Sequence, residues 1–184
     1  MRRPLRFLIV ACGVTVAAST VALSVASYLL YFRYVPAVRE LVAALPAEEA
    51  SPPEPYLLTV SKLEPKRFVL LPARGLLARF YPAPLSAMRW NVLFFTWYQL
   101  LPLSLPRDEL LALHAHFLPL EGGQGLLYGA RHYYGKAPAQ LSAREVLELL
   151  AIARSPGANS PTANPERFRR AVERLATQLG APAA

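Results

Sequence analysis

A chain of 184 residues, 54 % of them hydrophobic and with a formal charge of +8, has room for one modest domain and an anchor rather than two full domains. The charge is uneven: Arg2, Arg3, Arg6, Arg33 and Arg39 precede the first acid, Glu40, and the rest of the chain carries 15 basic against 12 acidic residues. The basic excess is therefore mostly a membrane-flank signal, which argues against a nucleic-acid partner, and the lone Cys12 rules out an intramolecular disulfide and a Cys-based zinc site.

Phe7 to Phe32 holds no charged residue. A helix needs about 20 apolar residues to cross the hydrocarbon core, so the run is long enough to span with some tilt. Tyr28, Tyr31 and Tyr34 cluster at its far end, where amphipathic rings favour the headgroup zone. The apolar core of a cleavable signal peptide is usually about 7–15 residues; this one continues to Phe32, which favours an uncleaved anchor over residues 1–34. Arg2, Arg3 and Arg6 outweigh Arg33 and Arg39, which orients the N-terminus to the cytoplasm and the bulk of the chain to the periplasmic or extracellular side. Residues 35–55 end in Pro46-Ala-Glu-Glu-Ala-Ser-Pro-Pro-Glu-Pro55, a composition that predicts a stiff linker.

The remainder, 56–180, reads as a mainly α-helical domain. Trp90 to Pro106 is uncharged and aromatic; it predicts a buried core helix, with a partly membrane-immersed helix as the alternative. Arg107 to Phe117 reads as a helix with Asp108 and Glu109 in its first turn, where the macrodipole favours acids. Ser142-Ala-Arg-Glu145 is a capping box opening an amphipathic helix, and Asn164-Pro165 starts the last helix, which Gly180 ends. Strand signals are nearly absent.

Several of these segments share a pattern. Gly125, Ala130-Arg-His-Tyr-Tyr-Gly-Lys136, Leu141-Ser-Ala-Arg-Glu145, Leu150-Ala151, Pro156 and Asn164-Pro-Glu166 resemble the second half of the peptidoglycan glycosyltransferase domain, glycosyltransferase family 51, and Arg107-Asp-Glu-Leu-Leu111 extends the likeness. The resemblance is specific over about 105–176 and weaker back to about 56. It implies an all-α, lysozyme-like fold, here truncated, behind one transmembrane helix in the bacterial cytoplasmic membrane. It also implies lipid II as substrate, a carboxylate to deprotonate the acceptor hydroxyl, and cationic groups or a divalent metal on the departing pyrophosphate.

Against that pattern the chemistry is thin. Glu64, in Glu64-Pro-Lys-Arg-Phe68, is the candidate first catalytic carboxylate, although Pro65 replaces the aspartate that follows in the family. Arg89 is the candidate phosphate contact, with Trp90 where a lysine should follow. The second catalytic glutamate falls on Ala112, and the Gly-Gly-Ser-Thr-Ile-Thr-Gln-Gln stretch expected between Phe80 and Arg89 is missing. No metal site is expected from His114, His116 and His132, no nucleotide loop from Gly122 to Gly125, and Arg167, Arg169, Arg170 and Arg174 read as a solvated face or a contact for anionic headgroups. No cofactor is expected, a divalent metal only in an active enzyme. The sequence thus predicts a catalytically impaired, membrane-anchored protein that binds lipid II, glycan or cell-wall synthesis proteins. An active enzyme using Glu64 and a helical assembly factor that never meets lipid II are the alternatives.

Overall fold

The computed structural model describes residues 2–65 and 68–180, and it is mostly helical. The helices are α1 (Arg2–Ala43), α2 (Ala47–Ala50), α3 (Glu54–Leu63), α4 (Leu70–Phe80), α5 (Ala87–Ser104), α6 (Arg107–His116), α7 (Leu126–Tyr134), α8 (Ala143–Arg154) and α9 (Pro165–Gln178). A 3-10 turn, Pro138–Gln140, precedes α8. Strands β1 (Pro119–Leu120) and β2 (Gly123–Gln124) make a minimal antiparallel hairpin, whose second strand falls within Gly122 to Gly125. Gly122 and Gly125, at φ 81° and 99°, make its turn and its exit into α7.

Helix α6 is the central element. Every residue from Leu110 to Ala115 is buried, so the helix has no solvent face along its C-terminal half. Leu111 and Ala115 face one core with Tyr56 and Val60 of α3, Leu126 and Ala130 of α7, Val146, Leu149 and Leu150 of α8, and Val172 and Leu175 of α9. Leu110, Leu113 and Phe117 face a second core with Val38 of α1, Ala73, Leu76 and Leu77 of α4, and Trp97 and Leu101 of α5. Each large aliphatic side chain so buried stabilises the fold by roughly 1.5–3 kcal/mol. Gly75 lets α4 and α6 meet closely, because a Cβ there would overlap the ring of Phe117.

The helix predicted at Ser142 begins as expected. Ser142 Oγ accepts from the Glu145 amide at 3.3 Å, while Glu145 Oε2 accepts from the Ser142 amide at 2.8 Å. The last helix starts at Pro165 after Asn164, although the Asn164 side chain donates to the Gly157 carbonyl (3.4 Å) and does not cap.

The N-terminal segment differs from a free anchor and spacer. From Tyr34 onward α1 is docked: Tyr34 packs against Phe80 (4.9 Å between ring centroids), Tyr81 (5.7 Å) and Trp97 (6.0 Å). Val35 and Val38 are buried, and Arg39 Nη2 donates to the Ser104 carbonyl at the end of α5 (3.3 Å). Within the expected linker, Leu45 and Glu49 are buried as well. With Pro52 and the two valines, five buried residues of 35–55 lie against the domain. Among the residues whose side chains are described, no helix is long and apolar enough to cross a membrane. Positions 1–12, 16, 22, 23, 26, 27, 30 and 31 of the predicted anchor have side chains outside the described residues.

Candidate functional site

Glu64 closes the C-terminus of α3, its amide bonded to the Val60 carbonyl (2.8 Å). Its carboxylate stands between two basic side chains brought from distant parts of the chain. His114 Nε2, on α6, lies 3.8 Å from Oε2, and Arg154 Nη2, at the end of α8, lies 3.5 Å from Oε1. The His114 imidazole first, and Arg154 after it, hold the Glu64 carboxyl below the usual carboxylate range, outweighing the opposing effect of burial. At 3.8 Å the histidine contact is electrostatic rather than a hydrogen bond, and Nε2 is left buried without a hydrogen-bond partner.

The imidazole is fixed from behind. Tyr56, wholly buried on α3, sets its hydroxyl 2.7 Å from His114 Nδ1. Burial first, then the negative charges of Glu64 and Glu49, raise the Tyr56 pKa well above that of an ordinary phenol, so it keeps its proton. With the phenol donating to Nδ1 of a neutral imidazole, the ring hydrogen lies on Nε2, facing Glu64; a doubly protonated ring would donate from both nitrogens, with the phenol oxygen accepting. The other neutral tautomer would set a nitrogen lone pair against a carboxylate. Lys62, Leu63, Glu64, Leu70, Arg154 and Gln178 line a cavity of about 500 Å³ at this point.

What the site can do chemically follows from this. A general base that works near neutral pH needs a carboxyl raised toward the working pH, whereas Glu64 is shifted the other way. The second position named from the resemblance, Ala112, is 1 % exposed in the middle of α6 and brings no ionisable group. The stretch expected to cradle the donor phosphates is replaced by the short connector 81–86, in which Pro82 and Pro84 have no N–H to offer.

Arg89 lies apart from Glu64. It occupies the first turn of α5, where its amide donates to Ser86 Oγ at 3.4 Å, and its exposed side chain stands near Tyr81. No ion pair or hydrogen bond among the described residues joins it to Glu64. The three histidines go to three places: His114 to Glu64, His116 to Glu49, and His132 to the ring of Tyr128 (5.1 Å, near-parallel). Among the described residues no group of three potential metal ligands forms.

A second polar cluster was not legible in the sequence. Glu49 of α2 reaches into the domain, where Oε2 lies 2.7 Å from His116 Nδ1 and Oε1 accepts from the Leu127 amide in the first turn of α7 (3.3 Å). A carboxylate there is favoured by the unsatisfied N–H groups and dipole of the helix start. Tyr56, His114, Arg154 and Glu49 all lie far from their partners in sequence, so no local spacing announces them.

Lys136 of the Tyr-Tyr-Gly-Lys block has a structural partner. Its Nζ lies 2.5 Å from Glu145 Oε1, tying the end of α7 to the cap of α8, and with the Ser142 contacts it lowers the Glu145 pKa to about 2.

No family model matches the chain. It is similar to a Cupriavidus necator protein named "putative transglycosylase", with 39 % identity over 67 residues, which is 36 % of this chain and 29 % of that protein. The match spans less than a third of the relative's length and supports a transglycosylase-like segment.

Proposed function

We propose that this chain is a membrane-anchored, transglycosylase-like protein of bacterial cell-wall biogenesis, derived from the family 51 glycosyltransferase domain, that binds lipid II or glycan without polymerising it. The observation that carries the reading is the state of its one candidate base: Glu64 is paired with Arg154 and His114 and its pKa is lowered, while Ala112 stands where a second carboxylate would be required. The similarity to the Cupriavidus protein supports the transglycosylase part of the reading.

Membrane attachment rests on the charge-free run Phe7 to Phe32 and on the lie of α1 and α5. Tyr34 meets Trp97, Val35 shares a cluster with Leu100, and Arg39 reaches Ser104, so the two helices run in the same direction. Ahead of Tyr34, Val21, Val25, Tyr28, Leu29 and Phe32 of α1 are exposed, and on α5 so are Met88 (80 %), Val92 and Phe95. The start of α5 therefore points toward the same end of the molecule as the exposed part of α1. In this reading α1 crosses the cytoplasmic membrane and the first turns of α5 rest in its outer interface.

The test supplies lipid II to the purified full chain in detergent and follows thermal unfolding. A concentration-dependent rise in Tm is expected from ligand that binds only the folded state. No shift with lipid II, under conditions where a known binder of lipid II responds, overturns the binding role and leaves a helical assembly factor.

A further inference from the structure

Beyond Glu64 the surface continues as a groove. The cavity at Glu64 shares Arg154 and Gln178 with a second cavity of about 310 Å³, lined also by Ser155, Asn159, Arg167 and Arg174 and floored by Ala171 and Leu175. That one in turn shares Arg167 and Arg174 with a third of about 550 Å³, which adds Arg170, Glu173 and Thr177. Lys62, Arg154, Arg167, Arg170 and Arg174 thus line a run of adjoining cavities in which, among the described residues, the carboxylates are Glu64 and Glu173.

An arginine on a helix can pair with an acid three or four residues away, as Arg144 does with Glu148 on α8 (3.3 Å). On α9, among the described residues, Arg167, Arg170 and Arg174 make no ion pair, although Glu166 and Glu173 are on the same helix, and Arg174 Nε donates to the Arg170 carbonyl (3.2 Å). Their spacing of three and four residues sets them along one stripe about 10 Å long. Arg167 and Arg174 border the cavity that also takes in Arg154 at the end of α8, over the buried Ala171 and Leu175. Such a surface concentrates positive potential and fits planar, bidentate guanidinium contacts to successive anionic groups.

We propose that the α8–α9 groove binds a linear polyanion, a polymer that presents carboxylates or phosphates in series. A bilayer headgroup is the less fitting source of the same chemistry. α9 packs on α8 in the first core, whereas α1 and α5, the helices with exposed apolar faces, pack in the second core across α6. The proposal is independent of whether Glu64 serves as a base, and it does not require lipid II binding.

The test uses the full chain reconstituted in phosphatidylcholine nanodiscs, with long-chain inorganic polyphosphate and poly-L-glutamate as probes. Both polymers are expected to bind, more weakly as salt rises. Arg174→Glu is expected to weaken each by roughly tenfold, as suits one lost charge-assisted contact, and Arg167→Ala with Arg174→Ala by at least as much. Arg79→Glu, which removes the same charge from an exposed site on α4, leaves binding within about twofold, less than 1 kcal/mol of binding free energy. Equal losses from Arg79→Glu and Arg174→Glu would reduce the effect to net charge and overturn the assignment. So would failure to bind either polymer, or binding to phosphatidylglycerol vesicles in place of both.

Discussion

Tyr56 Oη lies 2.7 Å from His114 Nδ1, and this buried contact between α3 and α6 determines how the molecule presents Glu64. The phenol anchors the imidazole, the imidazole faces one carboxylate oxygen across 3.8 Å, and Arg154 holds the other at 3.5 Å. The chain of three contacts is built to keep Glu64 charged and in place. That suits an electrostatic or ligand-positioning role better than proton abstraction.

Tyr56→Phe removes one partner of a buried hydrogen bond and leaves His114 Nδ1 unsatisfied in the core. The expected cost is about 1–3 kcal/mol, read from urea unfolding at neutral pH.

Glu64 makes stability pH-dependent in a predictable direction. Its folded pKa is below the ordinary value of 4.5, so its contribution is fully present above that value and is lost as the pH falls through the folded pKa. Urea midpoints of wild type and Glu64→Gln measured from neutral pH downward are expected to differ most near neutrality and to converge as the pH falls through the lowered folded pKa of Glu64. A difference that stays constant across the range would show that the pairing with His114 and Arg154 is absent in solution.

Glu49 is a buried polar tie between the Pro-rich segment and the domain. Glu49→Ala strands the Leu127 amide and the His116 ring, at an expected cost of about 1–3 kcal/mol. It is also expected to open residues 44–55 to limited proteolysis, detectable by mass spectrometry of the fragments. An unchanged cleavage pattern would mean that Val35, Val38 and Leu45 hold the segment unaided.

Ser142→Ala tests the cap that the sequence announced. Loss of the Oγ contact to the Glu145 amide is expected to cost about 1 kcal/mol, measured by thermal or urea unfolding.

Local physics was legible in the sequence and long-range pairing was not. The capping box at Ser142, the acids opening α6 and the proline start of α9 each depend on neighbours within a few residues, and each appears where expected. The linker reading assumed that a Pro/Glu-rich segment has nothing to bury, yet a single carboxylate found the first turn of α7 some eighty residues away, at Leu127. Glu64 was singled out from the sequence as a candidate site residue, but its neighbours His114 and Arg154 arrive from α6 and α8. Their effect on its charge depends on packing that no spacing rule encodes. The small hairpin at Pro119–Gln124 escaped notice because two-residue strands carry no alternation to read.

The most direct test of the central claim is to supply lipid II and a divalent cation to the purified full chain in detergent and to resolve the products by size. The account predicts no glycan polymer from wild type, and none from Glu64→Gln. Polymer formed by wild type and abolished by Glu64→Gln would contradict it, showing that Glu64 acts as a base despite Arg154 and His114.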